Sequence, residues 1–458
     1  MVEKTDKRLT SFRHWLKRLN SGIFLLLVFL AFECRDAQAI IIISDEETEQ
    51  FLADTARPFF KSAGIPFNRN KLYIVQDNSL NAFVGDGNNL FVHTGTITAA
   101  DSRNELEGVI AHEIGHIEGG HILRGKIQAQ SLQKIGLASA VLAGAAAVIG
   151  GRGDVAMAMA VGSQGATLNQ FLNYRTSEER SADEAAVKLL KANHKSPVGM
   201  LDFMKKIEQR NIMSGREEMP YFRTHPMTKE RISFLEQAVK ESGISATSAK
   251  DEKFDRVKAK LIGFLEPPAQ TLRRYPVSDT STPALYARTI AYFKQMKLQQ
   301  ALRSADELIA REPDNPYFHE LKGQIYIENG KVRQAEAEYE KALSLMPNSA
   351  LFKVNWAQAA LETSPDKSKL QKIVNQLNQA AVQRPGSLIY MLLSRAYEGL
   401  GQREYAEYAA AEFSLGIGEF KAARRQAENA LRQAAGNKKL RLKLNDLLAR
   451  IDDYEKNL

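Results

Sequence analysis

Two histidines with three residues between them frame the stretch His112-Glu113-Ile114-Gly115-His116. On a helix, positions i and i+4 lie on one face one turn apart, where two imidazole ligands of one tetrahedral zinc must be. Glu113, next to the first imidazole, is placed to take a proton from a water at that metal. A catalytic zinc needs a third protein ligand besides an open position. The continuation Gly115-His116-Ile117-Glu118-Gly119-Gly120-His121 approaches a pattern with a histidine six residues after His116, but that position is Ile122. A ligand cannot move by one residue without pointing elsewhere, so His121 is expected to face solvent or stand behind the ligands. Glu179-Arg180-Ser181-Ala182-Asp183 is the better source. A helix that turns Glu179 toward the metal puts Asp183 one turn on, where its carboxylate can accept the free N–H of a ligating histidine and fix its tautomer.

These residues need elements to hold them. Ser102 with Glu105 three residues on forms a capping box, opening a helix that runs through Leu106, Val109, Ile110 and the histidine pair. Residues Glu46 to Ala63 have helical spacing, with Pro58 expected to kink or split the helix. Lys71 to Val75 and Asn89 to His93 read as strands, and the turn residues Asp86-Gly87-Asn88 suggest that the two form a hairpin with a long loop. The second strand is a candidate edge for an extended substrate. Further helices are expected near Ser177 to Ala192 and Pro197 to Arg210. Residues 135–163 are rich in Ala, Gly and Val; they read as a tightly packed hairpin, with peripheral membrane contact as the alternative.

Beyond a Pro-punctuated stretch with one short helix, spacings begin to repeat. The interval from Pro313 to Pro347 equals that from Ala301 to Ala335, and Gly330, Gly401 and Gly418 each precede an alanine by five. Small residues where paired helices meet, glycine at the turn and proline at the close describe an α-solenoid. The shared interval is that of tetratricopeptide repeats, about 34 residues.

With 458 residues, 44% apolar and 25% charged, the chain is globular and has room for two or three domains. Of its net charge of +8, residues 1–39 carry +3, from seven basic and four acidic side chains. The remainder is spread thinly, so no nucleic-acid footprint stands out and none is expected as a partner. A basic start, an apolar run from Ile23 to Phe32 and Ala37-Gln38-Ala39 read as a cleaved signal peptide. The single cysteine, Cys34, lies upstream of that cut, so disulfides and thiolate ligands are not expected.

The histidine motif, Glu179 to Asp183, and Arg223-Thr224-His225-Pro226 with Arg231 resemble the gluzincin family of CAAX-prenyl-protease and HtpX-like metallopeptidases. The leader, the stretches Asn81-Ala82-Phe83 and Asn89 to Gly95, and the repeats narrow the resemblance to periplasmic members. It implies one zinc per chain on His112, His116 and Glu179, with Glu113 as general base. It also implies that His225 is a fourth ligand or an oxyanion stabiliser. The expected fold is mainly α with a small β-sheet: an α+β metalloprotease domain followed by an all-α repeat solenoid. The expected boundaries are 1–39 signal peptide, 40–245 catalytic, 246–282 linker with a short helix and 283–458 repeats. Implied partners are unfolded or misassembled outer-membrane proteins and, through the repeats, their assembly machinery. The competing expectation is a non-proteolytic chaperone or scaffold.

Overall fold

A computed structural model describes residues 41–125, 175–214, 225–245 and 250–456. The leader over 1–39 with Cys34, and the stretch 135–163 read for membrane contact, lie outside these residues. No helix among the described residues is long and apolar enough to cross a membrane.

The first strand, β1 (Ile42–Ile43), leads into α1 (Glu46–Ser62), capped by the Asp45 carboxylate accepting from the Thr48 N–H at 2.8 Å. Three acids in its first turn suit the positive end of the helix dipole. Pro58 does not split this helix. It sits on the exposed face, as does Asp54, whose carbonyl loses its N–H partner where water can replace it.

Three more strands follow: β2 (Leu72–Val75), β3 (Ala82–Gly85) and β4 (Asn89–His93). The sheet order is β1-β2-β4-β3, with β2 and β4 parallel and β3 and β4 antiparallel. Two expectations are corrected here. The segments around 71–75 and 89–93 are not a hairpin; the hairpin is β3–β4, closed by Asp86-Gly87-Asn88 with Gly87 at φ 71°. The strand 89–93 is not an edge either, because β3 covers it. The sequence hid β3 because a four-residue strand ending in glycine has too few alternations to register.

Helices α2 (Thr94–Ala99) and α3 (Arg103–Glu118) come next. Ser102 caps α3 by accepting from the Glu105 N–H at 3.4 Å, while the Glu105 carboxylate accepts from the Asp101 N–H at 3.2 Å. Helices α4 (175–192), α5 (Val198–Ser214) and α6 (Lys229–Ser242) complete the surround. One core joins Leu52 and Phe59 of α1, Ile74, Leu90 and Val92 of the sheet, Ile110 and Ile114 of α3, Leu189 of α4 and Phe203 of α5.

Residues 246–282 differ from a linker with one short helix. They hold α7 (Glu252–Leu265) and α8 (Pro268–Arg274), and Phe254, Val257 and Leu261 of α7 are buried in that same core. Their i, i+3, i+7 spacing presents one apolar face to the catalytic helices; the sequence showed a short helix here but not the core that this face joins.

The C-terminal region is five helix pairs: α9 and α10 (Thr282–Lys294, Leu298–Arg311), α11 and α12 (Pro316–Glu328, Val332–Leu345), α13 and α14 (Ala350–Glu362, Lys367–Gln383), α15 and α16 (Ser387–Leu400, Arg403–Gly416), α17 and α18 (Phe420–Gln433, Lys438–Lys456). The starts of α9, α11 and α13 keep the interval seen between the paired prolines and alanines. Ala301 and Ala335, one repeat apart in the sequence, are both fully buried where the paired helices cross. The repeats do not hang free. On α1, Glu47 pairs with Arg256 of α7 at 2.5 Å and accepts from the Tyr286 hydroxyl of α9 at 3.0 Å. Glu46 accepts from Ser349 at 2.7 Å, and Glu49 pairs with Arg384 at 2.7 Å. The solenoid is therefore closed onto the catalytic domain by buried and half-buried carboxylate contacts. A cavity of about 590 Å³ remains between them, lined by Asp45, Lys260, Glu320, Asn355 and Gln358 among others.

Candidate metal centre

α3 carries His112, Glu113 and His116, all at 9% exposure or less. Gly115 lets α4 approach closely: a Cβ there would stand 2.7 Å from the Ala182 carbonyl oxygen. That approach brings Glu179 of α4 into contact with both histidines, 3.3 Å from His112 Nε2 and 3.3 Å from His116 Nε2. His225, arriving just before α6, completes the group, its Nδ1 3.1 Å from Glu179. One donor atom from each of His112, His116, Glu179 and His225 lies within 4.8 Å of the others.

Such a set fits a cation. His112 Nε2 and His116 Nε2 face each other at 3.1 Å, and two ring nitrogens at that distance need a proton or a metal between them. The Oε1 of Glu113 is buried without a hydrogen bond, with His225 Nε2 3.6 Å away. A carboxylate oxygen left dry beside a cluster of donors is placed to receive a water or an N–H. Burial raises the Glu113 carboxyl above the usual range, against the pull of His225 and His112.

The outer ring of partners is as specific. Asp183 Oδ1 is 2.9 Å from His112 Nδ1, which turns Nε2 of that ring inward. Arg231 grips Asp183 with two bonds, at 2.7 and 2.8 Å, and reaches Glu179 with a third at 2.8 Å. Burial would raise both carboxyls; for Asp183 the Arg231 charge outweighs it, and for Glu179 the His225 and His112 contacts do, so both stay below the usual range. Burial also works against a charge on His112, but Asp183 and Glu179 hold its proton and lift it to about 10. Burial pushes His116 down to about 3, leaving its ring neutral, with one N–H.

His121 is not solvent-facing. Gly119 and Gly120 end α3, Gly120 at φ 63°, and the chain folds the His121 ring back over Gly119. There its Nδ1 is 2.8 Å from His116 Nδ1, and the residue is 4% exposed. The structure thus brings together every site residue expected from the sequence. The sequence reading gave no role to Arg231 and missed the edge strand β3, whose Ala82 carbonyl lies 3.2 Å from His225 Nε2. Both segments carry part of the family resemblance, but an arginine at a helix start and one carbonyl in a short strand do not show in sequence which distant residues they will meet.

Residues 46–239 match the model of peptidase family M48. This is an M48 metallopeptidase domain. The match spans strands β2 to β4, helices α1 to α5 and most of α6, the elements that build the donor cluster. Among curated proteins, the chain is 23% identical over 360 residues to the beta-barrel assembly-enhancing protease of Yersinia pestis, covering 76% of this chain and 71% of that one. The protein of the same name from Escherichia coli strain K12 is 23% identical over 362 residues, covering 77% and 71%. The M48 domain also resembles the Escherichia coli metalloprotease LoiP, at 28% identity over 211 residues, 46% of this chain and 77% of that one. A solved TPR protein of Thermus thermophilus aligns with 43% of this chain and 91% of its own at 19% identity, with a TM-score of 0.24.

Proposed function

We propose that this chain is a zinc-dependent endopeptidase of the periplasm. It cuts unfolded or misassembled exported proteins, those of the outer membrane among them, and its repeats dock it to the machinery that handles them. The observation that carries the reading is the buried cluster of His112, His116 and Glu179 beside Glu113, whose free carboxylate oxygen faces it. Two nitrogens and one carboxylate suit zinc, with one position left for chemistry. A zinc ion there supplies Lewis acidity and eases the loss of a proton from water.

The protein's own residues do the rest. Glu113 takes the proton from the attacking water and passes it toward the leaving amine. Asp183 and Arg231 keep His112 and Glu179 oriented. In the state described, His225 fills the remaining side of the cluster, so it acts as a cap that must withdraw before a substrate carbonyl can enter. The β3 edge, ending beside His225, offers Ala82 and Val84 for main-chain pairing with an extended segment, which favours unfolded clients over folded ones. The relatives covered to 71% are named for beta-barrel assembly, which supports that setting.

The test is metal analysis of the purified protein together with casein digestion, with and without a chelator. Stoichiometric zinc and chelator-sensitive cleavage support the reading. A scaffold reading has its own support in the capped state of the cluster. Zinc-loaded protein that leaves casein intact, and a Glu113→Gln chain that still supports outer-membrane assembly in cells, would establish it instead.

A further inference from the structure

The outer face of the sheet carries a row of rings that neither the metal centre nor the core uses. Tyr73 of β2, Phe91 of β4 and Phe83 of β3 are direct cross-strand neighbours. Their ring centroids are 5.0 and 4.8 Å apart, with planes within 17° and 13° of parallel. That spacing is the strand separation itself, about 4.8 Å. Leu72, Ile74, Ala82, Leu90 and Val92 on either side point into the core, so alternation puts the three rings on the opposite face, where each is half-buried. Gly85 keeps the row open: a Cβ there would stand 2.9 Å from Phe91 Cε2.

The row stops at Phe83, on the strand that forms the sheet's edge among the described residues. The His93 N–H donates to the Asn81 carbonyl at 3.0 Å, so by the alternation of an antiparallel ladder Phe83 is the next residue bonded to β4. Ala82 and Val84 then turn their backbone groups outward, and the Ala82 carbonyl does face outward, to His225. A segment paired with Ala82 and Val84 sets its intervening residue opposite Phe83, about 4.8 Å away and on the ring face. Cross-strand stacking alone explains a ring on β2 and β4. It does not explain an uncharged, aromatic edge, since exposed edges are ordinarily guarded by charge or proline against chance pairing; β3 reads Ala-Phe-Val-Gly.

We propose that the side of Phe83 away from Phe91 is a subsite for an aromatic side chain of the segment being cut, which continues the stacked row by one ring. The substrate class is an unfolded strand with apolar and aromatic residues at alternate positions, the pattern of transmembrane β-barrel strands with their aromatic girdles. This inference rests on the peptidase reading and on pairing at the β3 edge.

The test uses the full-length chain carrying Glu113→Gln and three labelled peptides of alternating threonine and X, with X tyrosine, leucine or alanine. Alternation keeps the X side chains on one face whatever the two-residue register. Fluorescence anisotropy is expected to give about 3- to 10-fold tighter binding for tyrosine than for leucine, the range of an aromatic pair beyond its buried area. Adding Phe83→Leu, with circular dichroism confirming the fold, should reduce that ratio below about twofold. Equal binding of the tyrosine and leucine peptides, or a preference untouched by Phe83→Leu, overturns the subsite. Casein digestion by the parent chain, with and without chelator, judges the peptidase reading separately. Casein left uncut with the tyrosine preference intact rejects the peptidase reading and keeps the subsite, and casein cut with no ring preference rejects the subsite alone.

Discussion

His121 Nδ1 stands 2.8 Å from His116 Nδ1 while the other nitrogen of His121 is buried without a partner. Only one proton fits between the two Nδ1 atoms. If His116 Nε2 is to face a metal, that proton belongs to His116 and His121 accepts it. His121→Phe, which keeps a ring but no acceptor, is expected to weaken metal binding by about 10- to 100-fold in chelator competition. His121→Asn, whose side-chain oxygen can replace Nδ1, should recover most of it.

Glu113→Gln should retain the metal and lose hydrolysis. Glu113 touches no other member of the cluster as a ligand, and removing a general base costs about 10²- to 10⁴-fold. Casein cleavage at the parent rate by the metal-loaded variant would remove Glu113 from the mechanism.

Glu179→Ala leaves two α3 imidazoles and His225, with no carboxylate to balance the ion's charge. It also leaves Arg231 a cation facing the site. Metal content after dialysis should fall well below stoichiometric. A variant that still holds one zinc per chain would place the third ligand elsewhere.

His225→Ala removes the group that fills the last side of the cluster and occupies the Ala82 carbonyl. The expected outcome is faster casein cleavage with nearly unchanged zinc content, because a substrate no longer competes with the cap. A fall of about 10²- to 10³-fold in kcat would instead assign His225 to the oxyanion.

Arg256→Ala leaves Glu47, at 2% side-chain exposure, with only the Lys260 ammonium at 3.7 Å to balance its charge, and should cost about 3 kcal/mol in urea unfolding. Replacing both residues together, as Glu47→Gln with Arg256→Met, should recover much of that loss. The neighbouring Asp45–Lys260 pair, at 2.5 Å, adds a pH dependence. Burial opposes the Asp45 charge, but Lys260 prevails and holds its pKa below the usual value. Its contribution is thus fully present above about pH 4, where the unfolded carboxyl titrates, and fades as pH falls through the lower folded value.

The sequence by itself determined the chemistry. Two histidines and a glutamate at helical spacing can face one point because the α-helix fixes that geometry locally, and Glu179 and Asp183 share a face for the same reason. The repeats were equally legible, since each helix pair meets its neighbours at one fixed and short separation along the chain, and small residues recur where the pairs must touch. What tertiary structure decided is everything that depends on which segments meet. Helix α7 reads as a short helix within a linker until Phe254, Val257 and Leu261 find the catalytic core. The segment 89–93 reads as an edge until β3, four residues with a terminal glycine, covers it. The role of Arg231 exists only where α6 delivers it to Asp183 and Glu179, both on a helix far upstream in the chain. Local backbone geometry writes a period into sequence; a contact between distant segments writes none, because any residue of the right size and charge at the meeting point will satisfy it.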